Sequence, residues 1–215
     1  MTNNTEKQLD IASKSPVRDL FMLSALWMPL GFFFWFKVST VLVIPVAGLL
    51  TWLLEQNLGE SFYDLLQNSY MLEIATNIPL NEKVQGRLAA LSFDVNPMVY
   101  GYGIPLIFGL IMATPGSWKK RLFDILGGYF LLVLVQVWGV FWEVQKLLQF
   151  TFPGTAAGAA TASELSPTVI ALCYQLGYLI LPAVVPVVWW ILRNRIFLEQ
   201  HVLARSFQQY GRKNK

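Results

Sequence analysis

The chain has 215 residues, of which 55% are hydrophobic and 13% charged, and its mean hydropathy is +0.48. A soluble domain of that composition lacks the polar surface to stay dispersed, so lipid is its main solvent and one compact membrane domain is expected. The formal charge of +3 in such a chain reports orientation more than an anionic partner, and nucleic-acid binding is not supported.

Residues 1–19 form an N-terminal tail carrying Glu6, Lys7, Asp10, Lys14, Arg18 and Asp19. The stretch is too long and too mixed in charge for a cleaved leader, so the apolar block behind it reads as a retained anchor. That first block, 20–54, is interrupted by Lys37 and contains Pro29 and Pro45. As one helix it would measure about 52 Å against a hydrocarbon core of about 30 Å. Two readings are open: a long kinked helix that crosses once, its surplus beyond Lys37 packing on the next segment, or a hairpin turning at Lys37.

Residues 55–97 form an extracytoplasmic loop of lower apolar density. Gly59 to Gln67 fits a short interfacial helix, because Phe62, Leu65 and Leu66 share a helical face. Tyr70–Asn77 and Arg87–Asp94 alternate around the turn-forming stretch 79–86, which predicts a β-hairpin. Residues 98–192 then supply three spans, Met98–Thr114, Phe123–Trp142 and Thr168–Leu192, with a small-residue flexible loop at 153–163. Arg193 and Arg195 close the last span, and 193–215 is a basic tail.

Charge favours the single crossing. It collects twelve basic residues and five acids on the side of the termini, leaving Lys83, Arg87 and Lys146 with eight acids on the other. Positive residues concentrate on the cytoplasmic side, so both termini are expected there. The fold class is therefore an all-α integral membrane protein of about four transmembrane helices, the first long or kinked, with a small extracytoplasmic β-hairpin-like insertion.

The polar residues worth weighing gather at the outer mouth: Arg87, Asp94, Asn96, Tyr100 and Tyr102 ahead of the second span, and Glu143 at the end of the third. Gln136, Gly139, Glu143 and Lys146 recur at helical spacing on one face. They line a groove, or else pair locally and bridge helices, and the second reading carries more weight. In the last span Tyr174, Gln175, Gly177 and Tyr178 precede Pro182 and Pro186, where the backbone is loosened. Cys173 and His201 lie about 42 Å apart along a helix, so a cysteine–histidine dyad is not expected and Cys173 reads as a small buried hydrophobe. HExxH, GxSxG, GxxxxGK[ST] and CxxC do not occur. No catalytic residue, metal ligand or cofactor is assigned.

The run Arg87-Leu-Ala-Ala-Leu-Ser-Phe-Asp-Val-Asn-Pro97, then Tyr100-Gly-Tyr-Gly-Ile-Pro-Leu106, together with Ala171-Leu-Cys-Tyr-Gln-Leu-Gly-Tyr-Leu-Ile-Leu-Pro182, resembles the exosortase H-associated membrane proteins of Gram-negative bacteria. Trp27, Pro29, Phe36 and Pro45 fit an equivalent first block. The resemblance implies a bacterial inner-membrane accessory to an exosortase, the multi-spanning enzyme that processes secreted proteins at C-terminal sorting signals. It transfers no catalytic residue. The expected partners are membrane lipids, an exosortase and its C-terminally tailed substrates. The contact candidates are Arg87, Asp94, Asn96, Tyr100, Tyr102, Gln136, Glu143 and Gln175. The rival readings are a membrane-embedded enzyme acting on a lipid-linked or peptide substrate, with Asp94 or Glu143 as base, and a small transporter subunit.

Overall fold

A computed structural model describes residues 16–84, 87–152 and 165–199. His201 and the expected flexible loop 153–163 lie outside the described residues. The elements in chain order are α1 (Pro16–Lys37), α2 (Ser39–Leu58), β1 (Phe62–Asn68), β2 (Met71–Val84), β3 (Arg87–Val95), α3 (Gly103–Ala113), α4 (Trp118–Lys146), α5 (Pro167–Gln175), α6 (Leu181–Arg193) and the short α7 (Arg195–Leu198). Four helical stretches have the length and apolar character to cross a membrane: Arg18–Lys37, Ser39–Ser61, Trp118–Thr151 and Pro167–Arg193. The protein is a multi-pass membrane protein, all-α with a small β insertion.

The first apolar block is not a tight hairpin. At Val38 (φ −101°, ψ 10°) the helix bends, but Val38 N–H still donates to Phe34 O at 2.9 Å and Leu42 N–H to Val38 O at 3.1 Å. α1 and α2 pack on different partners, α1 against α3 and α2 against α4 and β1. α2 turns Val43, Val46, Leu50 and Leu54 inward and leaves Val41, Ile44 and Trp52 exposed.

The β insertion has three antiparallel strands in the order β1-β2-β3, one more than the expected hairpin. The extra strand replaces the interfacial helix expected at 59–67. Gly59, at φ +52°, ends α2 in a conformation that side chains rarely adopt. A single 3₁₀ turn, Gly59–Ser61, then delivers Phe62 to the sheet, where it is buried. Phe62, Leu65 and Leu66 fit a helical face and a strand about equally, and the pairing of β1 with β2 decides. The Ser69–Tyr70 turn is fastened to α2: Gln67 Nε2 donates to Thr40 O at 2.8 Å and Ser69 Oγ lies 3.2 Å from Thr40 Oγ1. One sheet face, with Leu72, Ile74, Leu91 and Val95, joins Leu50, Leu54, Val144 and Leu148 in the main core.

The other spans differ from expectation mainly at their ends. The stretch 98–114 holds only the 11-residue α3, about 16 Å long, and it is the turn ahead of it together with α3 that carries the chain from Gly139, where Tyr100 packs, to Arg121 and Trp190, where Thr114 bonds. Ahead of it Pro97–Tyr100 forms a separate 3₁₀ turn, in which Asn96 Oδ1 accepts from Met98 N–H at 3.0 Å. α4 begins five residues before the expected Phe123 and runs on through a wide turn, Leu147–Thr151. The last span is continuous from Pro167 to Arg193, with a wide π-type turn at Leu176–Ile180.

Candidate functional site

Towards the sheet end of the bundle, α4 presents Gln136, Gly139 and Glu143 to the turn ahead of α3. Tyr100 is fully buried, its ring lies on Gly139, and its hydroxyl donates to Glu143 Oε2 at 3.0 Å. A side chain at Gly139 would occupy the space of that ring, so glycine here is a packing requirement. Gln136 is 1% exposed and donates from Nε2 to Pro97 O at 3.1 Å, while its Oε1 has no hydrogen-bond partner among the described residues. Lys146 Nζ sits 3.8 Å from the centre of the Tyr174 ring. Tyr174 stacks on Tyr178 at 5.8 Å, and Tyr178 meets Tyr100 edge-on at 6.2 Å.

This face of α4 is therefore filled by aromatic rings. Glu143 pairs with Tyr100 and Lys146 with the Tyr174 ring, where a local pairing of the two charges was expected, and Gln136 bridges to Pro97.

Tyr102 has a structural task. Pro182 has no N–H, so the carbonyl of Tyr178, four residues back, has no intrahelical donor from it. The Tyr102 hydroxyl points at that carbonyl from 3.5 Å and donates to Leu179 O at 3.2 Å, in the widened turn. Asn96 likewise serves its own turn. Gln175 is exposed at the last residue of α5.

Asp94 does not join Tyr100 and Glu143. It is exposed on β3, directly across from Glu73 of β2, on the sheet face turned away from the core. Ser92 Oγ donates to Glu73 at 2.7 Å on the same face. Asp64, which pairs with Ala75, adds a third carboxylate there. Arg87 starts β3 opposite Val84, and its side chain lies outside the described residues. Of the eight contact candidates, the structure brings Tyr100, Gln136 and Glu143 into one packed cluster. Asp94 and Gln175 stand apart from it.

Sequence reasoning missed a second cluster at the opposite end of the bundle. Asp124 is 1% exposed, and both of its oxygens are engaged, Oδ2 by Lys120 Nζ at 3.0 Å and Oδ1 by Arg193 Nε at 2.7 Å. Lys120 also donates to Asn194 Oδ1 at 2.6 Å, and Asn194 Nδ2 to Trp190 O at 3.0 Å. Trp190 Nε1 donates to Thr114 Oγ1 at 2.8 Å, and Arg121 Nη2 to Thr114 O at 3.1 Å. A buried carboxylate is tolerated in such a site because each of its oxygens is paired with a cation. The network fastens the end of α3, the start of α4 and the end of α6. Its local signal is Lys120 four residues before Asp124 on one helix; the part played by Arg193 is a matter of tertiary packing.

Among the described residues no group of three or more histidine, cysteine or acidic side chains has the geometry to hold a metal ion. Cys173 is half-buried, and its carbonyl accepts from Trp138 Nε1 at 3.2 Å.

Comparison with known proteins finds no curated relative and no solved structure that matches. The model of one family, described as exosortase H-associated membrane protein, matches residues 14–197, most of the chain and every described helix and strand but the end of the last short helix. This chain belongs to the exosortase H-associated membrane protein family.

Proposed function

We propose that this protein is a non-enzymatic accessory subunit of an exosortase-type protein-sorting system in the bacterial inner membrane, with both termini cytoplasmic. The sheet then lies on the outer side, where it contacts the sorting enzyme or the C-terminal tail of a substrate. Family membership supports the system, and the excess of basic residues at the termini supports the orientation.

The observation that carries the contact reading is the outward face of the sheet. Glu73 and Asp94 are directly opposed across β2 and β3, with Asp64 on the same face. Like charges directly opposite destabilise a strand pair by a few tenths to about 1 kcal/mol. A basic segment of a partner laid across this face relieves that repulsion, and the core under the sheet holds the face in place.

The test is capture from native membranes in mild detergent. The tagged wild-type protein should retain an exosortase or its tailed substrates, and Asp94→Asn should retain less while its unfolding temperature stays level or rises slightly. Equal recovery with the wild type and Asp94→Asn would overturn the contact assignment. Turnover of a lipid-linked or peptide substrate by the purified protein alone would overturn the accessory reading.

A further inference from the structure

The Asp124 network carries more positive charge than it uses. Lys120, Arg121 and Arg193 surround a single carboxylate, Asp124, whose two oxygens are taken by Lys120 and Arg193. Arg121 spends Nη2 on the Thr114 carbonyl, and its Nε is buried without an acceptor among the described residues. Thr114, Gly116, Lys120, Arg121, Asp124 and Asn194 line a small recess, and Arg193 reaches Asp124 from outside that lining. A Cβ on Gly116 would find only the Lys120 side chain, at 3.9 Å, so the recess is open at that point.

A buried guanidinium donor without an acceptor among the described residues, in a site of net positive charge, suits an anionic oxygen, carboxylate or phosphate, which takes short charge-assisted hydrogen bonds from arginine and lysine. Beside the recess, α4 exposes Trp118 (67%), Leu122 (48%) and Phe123 (71%) at the end of a membrane-spanning stretch. That apolar flank suits acyl chains and an interfacial tryptophan, and it offers nothing to a free ion. We infer that the recess between the α3–α4 turn and the end of α6 binds the phosphate of an anionic phospholipid, with Arg121 as its principal donor. A zwitterionic headgroup fits less well, because its own cation would sit beside Lys120 and Arg121.

The full chain, purified in a nonionic detergent, is titrated with short-chain phosphatidylglycerol, short-chain phosphatidylcholine and inorganic phosphate. Phosphatidylglycerol should bind about tenfold more tightly than phosphatidylcholine, and Arg121→Gln should remove most of that preference. Gly116→Glu, which adds a carboxylate in open space, should abolish the preference without lowering the unfolding temperature. Gln56→Glu, which adds the same charge at an exposed position of α2 near the sheet, should leave it intact. Equal affinity for the two lipids, or a preference unchanged in Gly116→Glu, would overturn the inference. Inorganic phosphate binding as tightly as phosphatidylglycerol would overturn the assignment to a lipid.

Discussion

The Tyr100 hydroxyl donates to the Glu143 carboxylate at 3.0 Å, across a ring that rests on Gly139. The contact locks the turn ahead of α3 to the sheet end of α4. Gly139→Val would drive two methyl groups into the ring and should cost about 1–3 kcal/mol as overpacking. Tyr100→Phe keeps the ring but leaves Glu143 without its donor and should cost about 1–3 kcal/mol. Apparent unfolding temperature in detergent reads both, and adding Tyr100→Leu to Gly139→Val should recover part of the loss. No change in either single variant would mean that the contact does not hold the turn.

Asp124 is the buried centre of a charge network, so the two ways of removing its charge should differ. Asp124→Ala leaves Lys120 and Arg193 without their anion, and breaking such a pair costs about 3–5 kcal/mol when it is fully buried. Both cationic side chains are two-fifths or more exposed, so solvent screening reduces the expected loss to about 1–3 kcal/mol. Asp124→Asn keeps hydrogen-bonding capacity and should lose less. The comparison is read as yield of folded protein and unfolding temperature; equal behaviour of the two variants would mean that hydrogen bonding at residue 124 adds nothing beyond its charge, and no loss in either would contradict a charge-based role.

The Tyr102 hydroxyl donates to Leu179 O at 3.2 Å and lies 3.5 Å from Tyr178 O, the carbonyl that an N–H at residue 182 would reach in a regular helix. Tyr102→Phe should therefore cost about 0.5–1.5 kcal/mol. In a Pro182→Ala background, where residue 182 regains an N–H, the same substitution should cost less. A double-mutant cycle measures this coupling directly, and strict additivity would rule it out.

Topology is open to labelling. In a chain whose Cys173 is replaced by alanine, single cysteines at Asp19 and Ser117 should react from one side of inner-membrane vesicles, and a cysteine at Ser92 from the other. Reaction of the Asp19 and Ser92 positions from the same side would mean that the first apolar block crosses twice.

The sequence by itself determined the solvent and the class. Apolar blocks longer than a bilayer is thick force helices into lipid, because backbone polar groups there must be satisfied within their own segment. The alternation of 70–77 and 87–94 likewise made two strands legible, and the motifs around Pro97 and Pro182 pointed to the family. Helix ends were less legible, since capping by Asn96 and Ser117 acts within single turns that hydropathy averages over.

Only tertiary structure decided the rest. Whether Phe62–Gln67 is helix or strand depended on a partner strand several residues away. Whether Asp94 or Gln136 faces Glu143 depended on which side of the sheet and of α4 each occupies, since a residue's face is fixed by packing as well as by its own spacing. Arg193 is drawn to Asp124 across 69 residues of chain, because a buried carboxylate takes whichever cations the folded bundle brings within reach.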